Sequence, residues 1–233
     1  EQTTWIVLGV QSCANAMYKI TAIVMEFSPI GVCALLADSV GAYGLKIFGP
    51  LGKLILTVYA SDVILVLLMY IPMVALLAKF PVKKWLQGIW KVWVVTASTT
   101  SSSGSLPITT SVTNDEFGVS SELSSFSLPL GATINMNGGC IYYAAAIVMT
   151  AQIYGMNLTP SALVNIIIST VLVAMGCPGV PGGAIIMTTI LLTNMGLPLE
   201  IVGLIAGIFR LIDMANTTFN VTGDVVTTMV VAR

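Results

Sequence analysis

Five polar residues in the last apolar segment have the types and spacing to do chemistry. In Ile201 to Val231, Arg210, Asp213, Thr217, Asn220 and Asp224 follow one another at steps of 3, 4, 3 and 4. On an α-helix those steps form one stripe. A membrane segment tolerates such side chains where they face a bundle interior or water, because an exposed charge in lipid is costly. Arg210 and Asp213 can neutralise each other. Asp224 lies three turns beyond Asp213 and has no basic residue near it in sequence; a bound cation would balance it.

Two further stretches carry donors without bulk. "TASTTSSSGSLPITT", Thr96 to Thr110, is dominated by hydroxyls. Backbone amides at a helix start, with the helix dipole behind them, make an anion site. The second stretch is glycine-rich, "AMGCPGVPGG" from Ala174 to Gly183.

The elements that must position these residues belong to a membrane protein. Of 233 residues, 56% are hydrophobic and only 8% charged, against about 25% charged in soluble domains. The net charge of −1 points to no partner, and nothing suggests nucleic acid. The absence of His removes His-based catalysis and the commonest metal ligand, and the chain is not expected to be an enzyme. Cys13, Cys33, Cys140 and Cys177 fit no zinc spacing and read as small membrane residues rather than a disulfide framework. The chain starts at Glu1 without a signal-peptide pattern and reads as a fragment lacking an N-terminal part.

Met17 to Leu36 is long enough to cross a membrane, with Pro29 as a kink. Gly41 to Gly52 is a Gly-rich connection, and Leu54 to Ala78 is a span whose one charge is Asp62. Lys79, Lys83, Lys84 and Lys91 follow and mark the cytoplasmic side. Trp85 to Thr96 is too short to cross, and together with "LPITTSVTNDEFG" it flanks the hydroxyl-rich break. Two half-length segments around a polar tip predict a re-entrant hairpin. No residue between Glu122 and Glu200 is charged, although Gly131 to Gly139 and Ala174 to Gly183 interrupt that tract. Uncharged breaks predict an unwound helix and a second re-entrant tip. Irregular backbone is tolerated at membrane depth where it is buried or lines a cavity, and paired broken segments point to a transporter site. The expected fold class is therefore an all-α membrane protein with transmembrane helices, two re-entrant helical hairpins and a broken helix.

In this order, "NAMYKI", "SPIGV", "SSSGSLP", "SLPLGATINMNG", "GVPGG", "GLPLE" and "NVTGD" resemble the sodium-coupled glutamate/dicarboxylate/neutral amino acid transporter family. The resemblance runs from about Cys13 to the end. It implies helices five and six, hairpin one, helix seven, hairpin two and helix eight, with helices one to four missing. Residues 1–53 would be scaffold-side and 54–233 the transport domain. It also implies a homotrimeric parent in the plasma membrane, crossing the bilayer several times, that couples inward sodium flux to amino acid uptake by alternating access.

The resemblance assigns residues one by one. Ser101, Ser102 and Ser103 would hold the substrate α-carboxylate. Asp213 would hold the α-amino group, with Thr217 and Asn220 beside it. Gly131, Asn135, Asn220 and Asp224 would form one sodium site, the glycine through its carbonyl. The carbonyls of Thr133, Ala174, Met175 and Cys177 would form a second. Gly176, Gly179, Val180, Pro181 and Gly182 would form the gate at the tip of hairpin two.

Three departures bear on substrate and ions. The family's Arg for a substrate side-chain carboxylate is here Asn216, and its accompanying Thr is Gly139. A small neutral amino acid is therefore expected, with an acidic amino acid or dicarboxylate as the alternative. Asn137 replaces an Asp ligand of a third sodium site, so about two sites are expected. The two positions that can hold an Arg near hairpin one are Thr100 and Met214. Arg210, one turn before Met214, can supply that charge or reach the substrate side chain. An ion channel is the rival of another class, since re-entrant loops also build filters.

Overall fold

The computed structural model describes residues 44–233 continuously, together with isolated positions between residues 5 and 41. The expected span Met17–Leu36 lies outside that continuous stretch. Within it all regular structure is helical.

Helix α1, Phe48–Leu77, is apolar and long enough to cross a membrane. It starts earlier than the sequence suggests, so the boundary expected after residue 53 falls inside it. Pro72 has no N–H to give the ladder, and two π-helical turns, Val66–Tyr70 and Met73–Leu77, lie on either side of it. One face of α1 is buried: Leu51, Leu54, Val58, Asp62, Val66, Tyr70 and Val74. The opposite face keeps Leu56, Leu68 and Leu76 exposed, which suits a lipid environment.

Helices α2 (Val82–Thr99) and α3 (Leu106–Asp115) pack on each other as a hairpin. Thr100 ends α2 in the left-handed conformation, at φ 50°. The expected half-length segment Trp85–Thr96 is thus the inner part of an 18-residue helix. Helix α4 (Ser121–Ile134) opens on Ser120, whose Oγ accepts from Leu123 N, a serine N-cap. It stops at Asn135 and Met136, both outside helical geometry, and α5 (Asn137–Ile153) follows directly. The expected break over Gly131–Gly139 is therefore confined to two residues. Helices α6 (Pro160–Ala174) and α7 (Gly183–Asn194) form a second hairpin, joined by 175–182. Helix α8 (Glu200–Val231) has 32 residues and is about 48 Å long.

Helix α8 is the axis of the fold. Its first half shares a core with α5, α7 and the start of α1, around Tyr142, Ile147, Leu192 and Ile212. Its second half shares another core with α2 and the end of α1, around Trp85, Ile89, Leu128 and Val225. Side-chain hydrogen bonds to hydroxyls fix the register between helices. Thr96 Oγ1 lies 3.1 Å from Thr218 Oγ1, Trp93 Nε1 donates to Thr222 Oγ1 at 2.8 Å, and Ser127 Oγ lies 2.6 Å from Thr228 Oγ1. Such bonds fix rotation where apolar packing alone would allow sliding.

Candidate functional site

The two hairpin tips touch each other. Ser101 Oγ donates to the Gly179 carbonyl at 3.0 Å, and Ser103 N donates to the same oxygen at 3.3 Å. A Cβ on Gly179 would come 2.7 Å from the Ala132 carbonyl and 3.0 Å from Ser103 Oγ. Only a residue without a side chain lets the second tip lie this close to the first tip and the end of α4. Tip one is ordered by its own hydroxyls: Gly104 N donates to Ser101 Oγ, and Ser105 Oγ to the Ser101 carbonyl. At tip two, Gly182 has φ 80°, a conformation glycine adopts freely, and its N–H donates to Asp213 Oδ2 at 3.4 Å.

Behind the touching tips lies a small cavity. Tip one contributes Thr100 and Ser102, and tip two contributes Cys177, Pro178, Gly179 and Val180. The broken helix adds Met136, Gly139 and Tyr143. The α8 stripe adds Asp213, Asn216, Thr217 and Asn220. Of the expected substrate residues, Ser102, Gly139, Gly179, Asp213, Asn216, Thr217 and Asn220 thus share one wall system. Ser101 and Ser103 stand behind it, bonded to Gly179. The enclosed space is about 20 Å³, near the volume one water needs. An amino acid is several times larger, so the tips must part before one can bind.

Arg210 is not in the cavity wall. Its guanidinium donates to Thr100 Oγ1 and, at 2.9 Å, to the Ser98 carbonyl. Thr100 itself lines the cavity, so this cation stands one side chain behind the wall. Asn216 is 2% exposed, and neither its Oδ1 nor its Nδ2 has a hydrogen-bond partner. A buried amide without partners is costly, and a ligand in this cavity would satisfy it.

The expected first cation site is brought together in part. Asn135 Nδ2 donates to Asp224 Oδ1 at 2.7 Å. Gly131 faces the same carboxylate closely: a Cβ there would sit 2.6 Å from Asp224 Cγ. Gly131, Asn135 and Asp224 line a second cavity of about 290 Å³ with Ser127 and Thr227. Asn220 lies elsewhere. Its Oδ1 accepts from Gly138 N at 2.8 Å and Gly139 N at 3.4 Å, capping the start of α5 beside the first cavity. Asp224 is 4% exposed; among the described residues it faces no Lys or Arg, and the one salt bridge is Lys91–Glu116. A buried carboxylate with no basic partner, bonded to one amide, leaves a charge that a small cation would balance.

The carbonyls expected to form the second cation site lie at the end of α4, at the end of α6 and in the link after it, where the Ala174 carbonyl accepts from Cys177 N at 3.0 Å. Ala174 and Cys177 are buried, but Met175 is about half exposed. Thr133 Oγ1 bonds within its own helix, to the Leu130 carbonyl at 2.7 Å. Tip two reaches α4 at Ala132, one residue away.

Three residues at these sites carry no expectation from the sequence: Tyr70, Tyr143 and Met136. Tyr70 OH accepts from Asn137 Nδ2 at 2.8 Å and donates to the Phe219 carbonyl at 3.0 Å, tying α1 to the helix break and to α8. Tyr143 and Met136 close one side of the first cavity. Tyr70 lies on the buried periodic face of α1, which was its only sequence signal.

The chain matches the sodium:dicarboxylate symporter family over residues 1–233. It is 33% identical over 223 residues to a proton/glutamate-aspartate symporter of Bacillus subtilis, covering 96% of this chain and 53% of the relative. It is 32% identical over 224 residues to the proton/glutamate-aspartate symporter of Escherichia coli, covering 96% and 51%. It is 31% identical over 224 residues to a proton/sodium-glutamate symport protein of Geobacillus stearothermophilus, covering 96% and 52%. The chain spans about half the length of the curated relatives it matches. Their names favour the acidic alternative over the neutral substrate expected from the sequence.

Proposed function

Because this chain belongs to the sodium:dicarboxylate symporter family, we propose that it is the substrate- and cation-binding part of a cation-coupled amino acid symporter. The substrate class favoured is an acidic amino acid. The observation that carries this choice is Arg210, whose guanidinium reaches hairpin one at Thr100 and Ser98, beside the cavity wall. That is where the sequence lacks an Arg at both usual positions, and Arg210 restores the charge from one turn away.

The division of labour follows from charge. Asp213 faces the cavity and attracts an ammonium. The amides and hydroxyls of tip one suit an α-carboxylate. Arg210 would reach a second carboxylate once tip one moves, because breaking its bonds to Thr100 and Ser98 frees two donors on one fork. Sodium is expected at Asp224 with Asn135 and the Gly131 carbonyl. Tip two is the gate: its contacts with Ser101 and Ser103 must break to admit substrate and re-form over it. Both hairpins are inferred to be re-entrant, with α1 and α8 spanning the bilayer.

A neutral amino acid is the second reading. Asn216 supports it, since an unpartnered amide suits an uncharged polar side chain better than a carboxylate alone would. Competition by aspartate and serine against sodium-driven uptake in proteoliposomes of the full-length parent separates the readings. Aspartate as the stronger competitor upholds the acidic one; serine as the stronger overturns it.

A further inference from the structure

Asp62 sits in the middle of α1, on the buried face between Val58 and Val66. That face packs on α5 and α8. Asp62 is 0% exposed, and neither carboxylate oxygen has a hydrogen-bond partner. It belongs to neither cavity described above.

Among the described residues no basic group is set against it. Helix α5 contains no Lys or Arg and brings Cys140, Tyr142 and Tyr143. Helix α8 brings Asp213, Asp224 and Arg210, and Arg210 is engaged at Ser98 and Thr100. On α1 itself the neighbouring titratable groups are Tyr59 and Tyr70, whose hydroxyls donate to the carbonyls of Leu211 and Phe219. Lys53 lies more than two turns before Asp62 in the same helix.

An ionised carboxylate in such surroundings is strongly disfavoured, and binding a cation is the way to keep it there. A sodium ion would need a shell of several oxygen ligands. Neither carboxylate oxygen of Asp62 has a hydroxyl or amide donor at hydrogen-bond distance, and Asp62 lines neither cavity that could supply water oxygens to such a shell. A proton needs only the carboxylate.

The position also connects to the sites. Two turns further on the same face, Tyr70 is bonded to Asn137 at the helix break and to Phe219, next to Asn220 on α8. A charge appearing at Asp62 would strain the packing of the face that holds this link. We propose that Asp62 is a proton-binding site of the transport cycle, the residue through which the proton coupling in the names of the relatives would act in this chain. This rests on the symporter reading in that transport is one of its two readouts.

The first readout is infrared spectroscopy of the full-length parent in lipid. A protonated carboxyl band, shifted by deuterium exchange, is expected in the unmodified protein and lost in both Asp62→Asn and Asp62→Leu. The second is uptake into proteoliposomes at a fixed sodium gradient. An inside-alkaline pH gradient is expected to speed uptake several-fold in the unmodified protein and to have no effect in either variant. The leucine variant suits the apolar packing and covers the case in which the asparagine variant fails to fold. No Asp62-dependent band, or an equal response to the pH gradient in the variants, overturns the proposal. A parent that takes up no amino acid sinks the symporter reading instead, and the infrared band still decides whether Asp62 holds a proton.

Discussion

Arg210 and Thr100, 110 residues apart, are joined by a hydrogen bond from guanidinium to hydroxyl. The bond carries a cation from α8 to the tip of the first hairpin, at the edge of the cavity. If Arg210 reads a substrate carboxylate, Arg210→Gln removes the charge and keeps donors. A hydrogen bond to a charged group is worth about 1.5–3 kcal/mol, so the aspartate KM should rise about 10- to 100-fold while serine competition changes little. An equal loss for both amino acids would reduce Arg210 to a structural tie between α8 and α2.

Asp224 is expected to be the charged ligand of the first sodium site. Asp224→Asn keeps the shape and can still pair with Asn135, but it removes the charge that a cation must balance. The sodium concentration for half-maximal uptake should rise by about tenfold or more, the scale of one charged hydrogen-bond ligand. Sodium titration of uptake checks it, and an unchanged curve would place the ion elsewhere.

The gate is tested at Gly179. A valine there would push against the Ala132 carbonyl and Ser103 Oγ, which a Cβ already meets at 2.7 and 3.0 Å. Gly179→Val should hold the tips apart and weaken substrate and sodium binding together. Normal affinities for both would mean that the tips do not close over the substrate.

Asn216 combines a cost with a use. Its amide is buried and unpartnered, so Asn216→Leu should stabilise the substrate-free protein by about 1–3 kcal/mol, seen as a higher Tm. The same change should weaken substrate binding. A lower Tm would show that the amide has partners in the protein after all.

Much of this architecture was legible in the sequence, because breaks and stripes are local signals. Ser and Gly runs marked both tips, and the 3–4 steps from Arg210 to Asp224 put the polar residues on one face of α8. The joins between distant segments were not legible. The bond from Ser101 to Gly179 spans 78 residues, and no local pattern encodes it. Asn220 was expected beside Asp224, yet its oxygen caps Gly138 and Gly139, since the backbone amides that open α5 need an acceptor. Asp62 read as one tolerated charge in a span; only the packing of α1 on α5 and α8 shows that it has no partner.

The central claim is sodium-coupled transport of an acidic amino acid, and competition measures it most directly. In proteoliposomes of the full-length parent, uptake of labelled aspartate should require an inward sodium gradient. Unlabelled aspartate or glutamate should compete better than serine, and succinate poorly, because Asp213 repels a diacid lacking an ammonium. Uptake that ignores the sodium gradient, or that serine inhibits better than aspartate, would contradict the account.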